Sequence, residues 1–334
     1  MLGPWFGARP DRLLLNLLAT SHRVATRLRT IGLGNKLVLT YDNTKMTDGV
    51  GAQLQRIYGI YSISRLLGVS YFHSPLGRVD NQGLSALEQN VDDPNFHHEF
   101  NDVFKIKSDV TLTNDFRSID LREISMKTFD ELIAMYHAET SNKRPYLLRL
   151  VLPYGIADLF PDCYKICKEI SPFPTSVPNG RQLRVAIHVR RGDVSVDTDR
   201  ILPNAYYISV AQDVVAVLEA LMIDYIIELH TEVPSVDAEM CRLAEFGVLP
   251  NLTRCVNETA INCLEKLATA DILIMSRSSF SYVAAILNRN GLILYYPFWH
   301  AAPSSWITVG PAGTLDRGRL RKTLKSVQPS MRGL

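Results

Sequence analysis

The sequence lacks any apolar run close to the roughly 20 residues that a helix needs to cross a bilayer. The nearest candidate, residues 13–19, is too short and contains Asn16. The sequence also lacks internal repeats and low-complexity tracts, which excludes fibrous and disordered classes. What remains is an ordinary globular composition of 334 residues, 46% of them hydrophobic, which predicts about two domains.

Metal-binding signatures are also scarce. Five cysteines are present, but no C-x-x-C pair occurs, and no histidine lies near Cys163 and Cys167 at zinc-ligand spacing. Asp197-Thr-Asp199 matches a D-x-D pattern, and 97–99 reads His-His-Glu. The two aspartates can hold a cation only if diphosphate oxygens lie nearby, and the stretch 97–99 lacks a third ligand. We therefore expect buried free thiols, a surface position for 97–99, and no bound metal.

The middle of the chain has no excess of basic residues, and the basic excess lies at its two ends. Residues 1–36 and 313–334 each hold six Lys or Arg against one acid, while acids exceed bases by eight in between. A nucleic-acid-binding domain needs a basic stripe in its folded body, so this class is excluded. For the first 36 residues, two interpretations remain. They form a solvated helix, or they form a segment that serves targeting or contacts an anionic membrane. The expected location is cytoplasmic, with organellar targeting as the alternative.

The pattern of strands and helices divides the rest of the chain. A β-α-β unit is predicted from strand 36–42, helix 52–67 and strand 69–73, followed by an irregular stretch at 75–125 and helices at 127–138 and 154–169. Three prolines and a glycine in 171–180 indicate a linker. The predicted units are a basic segment 1–36, a domain 37–170, a linker 171–183, a domain 184–312 and a C-terminal helix and tail 313–334.

The second domain shows the clearer alternation. Strands are predicted at 184–190, 224–232, 252–256, 271–276 and 291–296, with helices at 204–220, 236–246, 259–269 and 278–288 between them. This pattern predicts an α/β fold of two Rossmann-like domains, whose parallel sheets face each other across a cleft. Ligands of such sheets bind beyond the carboxyl ends of the strands.

Two polar clusters follow predicted strands of this domain. The first is His188-Val-Arg190-Arg191-Gly-Asp193. An arginine held at a strand end suits a diphosphate because its planar fork meets two oxygens, and the glycine lets the backbone turn closely. The second cluster, 276–281, reads Ser-Arg-Ser-Ser-Phe-Ser and opens a helix, where hydroxyls and N–H groups favour an anion.

A glycine-bearing loop opens the first long helix of the chain. Residues 48–56 read Asp-Gly-Val-Gly-Ala-Gln-Leu-Gln-Arg, so Gly49 and Gly51 lie in the connection that follows the first strand. A lone G-x-G is weak evidence, since it often marks only a tight turn. Its place after the first strand strengthens the case that this G-x-G is functional. We expect this loop to approach the ligand of the second domain across the cleft.

These motifs resemble those of the fucosyltransferase superfamily, which includes α1,2-, α1,6- and protein O-fucosyltransferases. HVRRGD at 188–193 is similar to its H-x-R-R-x-D motif, 276–287 to its C-terminal serine motif, and 49–56 to its N-terminal glycine loop, with Ala52 where the family has Asn. The resemblance implies a GT-B fold and inverting transfer of fucose from GDP-fucose to a glycan hydroxyl. It implies no required metal and no cofactor beyond the donor.

The resemblance also implies roles for individual residues. Arg190 would bind the β-phosphate of the donor, Arg191 and Asp193 would hold the turn, and His188 would line the donor pocket. Ser278 and Ser279 would contact the diphosphate, and the C-terminal helix would cross back to the first domain. The predicted donor site also includes Gly49, Gly51, Gln53, Asp271 and Phe280, and Asp271 would help to order the strand end.

The acceptor and its base stay open. The acceptor hydroxyl must lose a proton, and Asp48, Asp197 or Asp199 are the candidate bases. Two alternatives to fucosyl transfer remain. One is transfer from another nucleotide sugar on the same fold, and the other is a non-catalytic module that binds glycan or protein.

Overall fold

A computed structural model describes residues 22–45, 48–79, 96–121, 126–139, 144–151, 161–175, 182–191, 201–233, 242–298, 300 and 302–331. The chain forms two compact units. The first takes the described residues of Met1–Met46, Gln55–Pro75 and Lys105–Cys167, and the second takes those of Thr47–Leu54, Leu76–Phe104 and Lys168–Leu334. The glycine loop thus belongs to the second unit, an interleaving that the sequence pattern does not indicate.

The first unit contains a four-stranded sheet in which all pairs are parallel. All five residues of the strand Leu37–Tyr41 are buried, which explains its continuous apolar and aromatic character. The sheet order is β2-β1-β4-β3, with β1 at Leu37–Tyr41, β2 at Ser70–Tyr71, β3 at Arg117–Leu121 and β4 at Tyr146–Leu150.

Five α-helical stretches occur before the second sheet in the described residues: residues 22–30 and the four helices labelled α1 to α4. The longest, α1, begins at Val50, so that Gly51 lies in its first turn, and it ends at Leu67, where Gly68 takes a positive φ of 66°. A glycine tolerates this conformation without steric cost, so the helix ends there. The helices are α1 at Val50–Leu67, α2 at Phe96–Val103, α3 at Met126–Ala138 and α4 at Pro161–Glu169.

The second unit contains a six-stranded parallel sheet. Its order is β10-β9-β8-β5-β6-β7, with β5 at Leu183–Val189, β6 at Tyr225–Thr231, β7 at Leu252–Val256, β8 at Ile272–Ile274, β9 at Leu292–Tyr295 and β10 at Ile307–Thr308. Counted from β5, this is the doubly wound order 3-2-1-4-5-6. The strand order therefore reverses between β5 and β8, and ligands of such sheets bind at that point.

Helices cover both faces of this sheet. Alternate side chains of β5 point to opposite faces, so each set contacts different helices. Val185, Ile187 and Val189 join a core that includes helix α5 and also Leu320 and Leu324 of helix α8. On the other face, His188 meets helix α7, and Arg184 reaches the end of helix α6. These helices are α5 at Asn204–Ala220, α6 at Ala260–Ala268, α7 at Ser279–Leu287 and α8 at Arg317–Met331.

The structure confirms the predicted α/β class with parallel sheets. The stretch 75–125, expected to be irregular, instead contains α2 and the edge strand β3. Most of β3 is exposed, so it carries no alternating apolar signal. The C-terminal helix, expected to cross back to the first domain, packs its Leu320 and Leu324 into the core of the second unit.

Parts of other predictions lie outside the described residues. These include positions 1–21 of the basic segment, 176–181 of the linker and 234–241, which hold the start of the helix predicted at 236–246. The end of that stretch is a 3-10 turn at Ala244–Val248. Among the described helices, none combines the length and the apolar character that crossing a bilayer requires.

Candidate functional site

Arg190 lies at the reversal point of the second sheet, directly after β5. Its guanidinium Nη1 donates a hydrogen bond to Ser278 Oγ at 3.4 Å, and its backbone N–H donates to Ser276 Oγ at 3.4 Å. Ser276 and Ser278 follow β8, the strand that neighbours β5. The arginine motif and the serine turn, residues 276–281, are therefore brought together at one edge, 86 and 88 positions apart in the chain.

The serine turn is held in place by hydrogen bonds to residues of α5 and α7. Ser276 is buried, and its Oγ forms a 2.9 Å hydrogen bond with the hydroxyl of Tyr207 on α5. The backbone N–H of Ser276 donates to Ser281 Oγ at 3.4 Å, which closes the turn on itself. These contacts fix the turn from two helices, so its backbone N–H groups keep one orientation.

Ser278 caps helix α7, as the serine pattern predicts. Its extended backbone places the side chain where Oγ accepts a hydrogen bond from the N–H of Phe280 at 3.2 Å. No acidic residue lies in the first turn of α7. The positive end of the helix dipole and the guanidinium of Arg190 thus act at the same serine, and both favour an anion.

Gly51 brings a second helix N-terminus to the same place. A Cβ atom at this position would lie 2.5 Å from the backbone N of Phe280 and 2.6 Å from the carbonyl carbon of Ser279. Only glycine permits this approach, so the first turn of α1 packs directly on the first turn of α7. Gly49 caps α1 through its carbonyl, which accepts from Ala52 N at 3.0 Å and Gln53 N at 3.2 Å.

His188 is buried, and it supports the serine turn. Its Nδ1 is hydrogen-bonded to Ser281 Oγ, and its ring centroid lies 5.7 Å from that of Phe280. Burial first, and then the charges of Arg190 and His230, lower the pKa of His188 to about 3. A neutral imidazole therefore positions the start of α7. This buried role differs from the pocket-lining role that the resemblance implies.

Arg191 is the second residue after β5, and its side chain reaches the start of α5. The role in the turn that the resemblance implies for it stays a prediction, because residues 192–200 lie outside the described residues. The guanidinium of Arg191 donates to the carbonyl of Leu202 at 3.2 Å and to Asn204 Oδ1 at 2.5 Å. Asn204, at the start of α5, donates in turn to the carbonyl of Arg242 at 3.1 Å and to Glu245 Oε2 at 3.1 Å. Arg191 therefore connects the strand end to α5 and to the segment before β7.

The side chains of two residues that are predicted to contact the donor, Gln53 and Asp271, form hydrogen bonds with the protein backbone. Gln53 is fully buried, and its amide donates to the carbonyls of Asp48 at 2.9 Å and Arg78 at 2.8 Å while accepting from Gly77 N at 2.9 Å. These hydrogen bonds hold the glycine loop, and the contact of Gln53 with the donor stays a prediction.

Asp271 lies at the other edge of the second sheet. It directly precedes β8, so it lies at the amino edge of the sheet, opposite to Arg190. It is buried, and its Oδ2 accepts from the backbone N–H of Arg184 at 2.8 Å. It orders the starts of two neighbouring strands, in line with the strand-ordering role that the resemblance implies. Its place at the edge opposite to Arg190 gives no support to a donor contact, because parallel strands separate their two ends by the full strand length.

The remaining predicted residues are placed as follows. Ser279 is in the first turn of α7, where its Oγ is hydrogen-bonded to His300 Nε2 at 3.4 Å. Asp48 is half-buried and lies just before α1. Asp193, Asp197 and Asp199 lie outside the described residues.

Sequence reasoning missed Tyr207 and Asn204 as members of this edge. Tyr207 and Asn204 sit in the first turn of α5, which follows the strand with Arg190. Their signal is weak, because a tyrosine and an asparagine near a helix start are common for capping and packing alone. Only their hydrogen bonds to Ser276 and Arg191 distinguish them.

The fold and this edge define an α/β protein with a doubly wound second unit and a basic, helix-capped reversal point. No protein-family model and no curated protein sequence matches the chain. Among solved structures, it is similar to Escherichia coli heptosyltransferase WaaC with ADP-2-deoxy-2-fluoro heptose and to the same enzyme with ADP. Each match has 11% identity and a TM-score of 0.38, over 87% of this chain and 99% of the other.

A further similar structure is Methanocaldococcus jannaschii UDP-GlcNAc 2-epimerase in complex with UDP-GlcNAc and UDP. It shares 11% identity with a TM-score of 0.28, over 100% of this chain and 79% of that one. Similarity at this level does not establish a common family, and function has to be argued from the site.

Proposed function

We propose that this protein is a glycosyltransferase of the GT-B type, and that the Arg190 edge of its second unit binds the diphosphate of a nucleotide sugar. One observation carries the proposal. At the reversal point of a doubly wound sheet, a guanidinium and the N-termini of α7 and α1 are held within contact of Ser278, Ser279 and Phe280. Ligand phosphates bind such sheets at this point because helix N-termini attract anions.

The charges at this edge fit a diphosphate better than a single carboxylate. Neither first turn, of α1 or of α7, contains an acidic residue. Arg190 presents a planar fork that can meet two oxygens at once, and the first turns add backbone N–H donors. A diphosphate offers enough oxygens for both kinds of donor, so the two can act together.

The same groups would serve catalysis. In glycosyl transfer the bond from sugar to diphosphate breaks, and negative charge grows on the leaving oxygen. Donors fixed in advance stabilise this charge more in the transition state than in the ground state. The tight support of the serine turn by Tyr207 and His188 keeps these donors in place. We therefore expect transfer without a divalent cation on the diphosphate.

Two kinds of donor are compatible with this proposal: GDP-fucose and another nucleotide sugar. HVRRGD resembles a motif of enzymes that use GDP-fucose, which favours that donor. Nothing in the described site reads the base or the sugar, so transfer from another nucleotide sugar is the broader proposal. A module that binds glycan or protein without catalysis would not need a guanidinium at the reversal point.

The acceptor base belongs to the same proposal. Of the three candidate aspartates, Asp48 is in the described part of the chain, and it directly precedes the α1 turn that packs on α7. Asp48→Asn removes its basicity with little change in size. If Asp48 is the base, this variant loses transfer but keeps donor affinity, because the diphosphate contacts are untouched.

The test is a hydrolysis and transfer assay of the full chain against GDP-fucose and other GDP-, UDP- and ADP-linked sugars, without added divalent cation. We expect release of one nucleoside diphosphate from its sugar, and binding of that diphosphate by calorimetry. Arg321→Ala, which removes an exposed arginine of α8, is the matched control and should behave as wild type. Absence of both turnover and diphosphate binding across the panel would refute the proposal.

A further inference from the structure

A cluster of three metal-binding residue types lies on the face of the second sheet beneath α6. His230, Cys255 and Glu258 each offer one ligand atom, and these atoms all lie within 4.8 Å of one another. His230 is fully buried, while Cys255 and Glu258 are half-buried. Neither the diphosphate site nor the sequence motifs use any of the three.

The sheet register explains why they meet. His230 and Cys255 are Cα partners on the parallel strands β6 and β7, so their side chains point to the same face. Glu258 follows the end of β7, and its Oε2 lies 3.1 Å from His230 Nδ1. Local ligand spacing cannot show this cluster, because two of its members are brought together only by strand pairing.

The surroundings orient the imidazole. Glu228 lies two residues before His230 on the same face, and its Oε2 is 3.7 Å from His230 Nε2. Arg184 fixes that carboxylate with hydrogen bonds from Nη2 at 2.7 Å and Nε at 3.2 Å. Histidine ligands of metals commonly turn their second nitrogen to such a carboxylate, which sets the tautomer and the ring orientation.

The donor set identifies the class of ion. One imidazole nitrogen, one thiolate and one carboxylate oxygen are ligands of zinc, and a thiolate disfavours calcium and magnesium. Ligands around a tetrahedral zinc lie about 3.3–3.8 Å apart, so the atoms need to close by about 1 Å. The alternative is an ion-pair network, because Lys266 on α6 also contacts Glu258. That network has no use for the Cys255 thiol.

We propose that His230, Cys255 and Glu258 bind one zinc ion, with water in the fourth position. The ion would connect β6 and β7 to the segment that leads into α6. It differs from the expectation of no metal. It is separate from the proposed diphosphate site, because its ligands lie on β6, on β7 and after β7, whereas Arg190 and the serine turn follow β5 and β8.

The test uses the full chain after removal of metal with a chelator. Titration with cobalt(II) should give one ion per chain, with the strong visible absorption of a tetrahedral site and an ultraviolet thiolate-to-cobalt charge-transfer band. Zinc should displace the cobalt and raise the melting temperature, since an ion that binds only the folded state stabilises it.

Variants identify the ligands. Cys255→Ser should abolish the charge-transfer band and the zinc-dependent rise in melting temperature. Glu228→Gln should weaken zinc binding roughly 10- to 100-fold while keeping the band. Cys167→Ser, a buried thiol of the first unit, is the control and should leave both readouts unchanged.

Two results would overturn the proposal. The first is wild-type protein that takes up cobalt without a charge-transfer band or takes up none. The second is a Cys255→Ser protein that binds zinc as wild type does. The wild-type spectrum decides the matter even if a variant fails to fold. Both readouts are independent of turnover, so failure of the transferase proposal would not change them.

Discussion

Arg190 is the residue on which the proposed chemistry depends. It lies at the reversal point of the sheet and donates to the serine that caps α7. Arg190→Ala should lower turnover about 100-fold, corresponding to about 3 kcal/mol of transition-state stabilisation, because one pre-positioned donor to the leaving group is lost. Arg190→Lys keeps the charge but loses the planar fork, so we expect an intermediate rate.

Steady-state kinetics on the best donor of the panel, with diphosphate binding by calorimetry, measures this effect. Unfolding curves should show that both variants remain folded, since the arginine is half-buried and follows the strand. An Arg190→Ala enzyme with wild-type turnover would show that the guanidinium plays no part in transfer.

Gly51 is the position at which the backbone of α1 lies against the backbone of α7. Gly51→Ala should destabilise the protein by about 1–3 kcal/mol, because the added methyl group would overlap the backbone of Ser279 and Phe280. Donor affinity should fall as well, since the two first turns must separate. Denaturant unfolding and calorimetry measure the two effects.

Gly247→Ala is the matched control for this prediction. A Cβ there would meet its nearest neighbour, Arg254 Nη2, at 3.9 Å, which is ordinary contact. We expect little change in stability. Equal stability of the Gly51 and Gly247 variants would contradict the close packing of α1 on α7.

At the scale of elements, helix α8 is attached to the second unit by a narrow apolar contact. Its buried leucines, Leu320 and Leu324, pack into the core shared with α5, and Arg317 Nε donates to Asp213 on α5 at 2.8 Å. Most of its other described side chains are exposed. Leucine burial, rather than the exposed ion pair, therefore supplies most of the docking energy.

Leu320→Ala should lower the free energy of unfolding by about 2–5 kcal/mol, because a fully buried leucine leaves a cavity. Denaturant titration followed by circular dichroism measures this loss. Lys325→Ala on the exposed side of the same helix is expected to stay within about 0.5 kcal/mol of wild type. Equal effects of the two substitutions would mean that α8 is not docked through its leucines.

At the scale of the whole molecule, a buried histidine connects stability to pH. His300 is fully buried beside the ring of Tyr282, with centroids 4.6 Å apart, and burial lowers its pKa from 6.5 to about 3. Between these values the unfolded chain binds the proton more readily than the folded chain. Stability therefore falls as pH falls through this window.

Between pH 7 and pH 5, His300 alone should cost about 2 kcal/mol of stability. His300→Gln, which retains a polar group for Ser279, should flatten the dependence by that amount in urea titrations at several pH values. His98→Gln, at an exposed histidine of α2, is the control and should leave the slope unchanged. A parallel slope in the His300 variant would show that another group is responsible.

The sequence by itself determined the α/β class, most elements of the second unit and the placement of Arg190 and the serine turn after strands. These follow from local periodicity and from chain order, since a parallel sheet places every strand end with the same sense at one edge. Helix α5 at Asn204–Ala220 and strand β7 at Leu252–Val256 coincide with the predicted bounds.

Tertiary structure alone decided which side chains meet. Gln53 and Asp271 carry suitable chemistry in suitable motifs, but the fold engages their polar atoms in backbone hydrogen bonds. Conversely, His230 and Cys255 come together only through the register of β6 and β7. Contacts between residues distant in the chain depend on strand order and register, and no local pattern encodes either one.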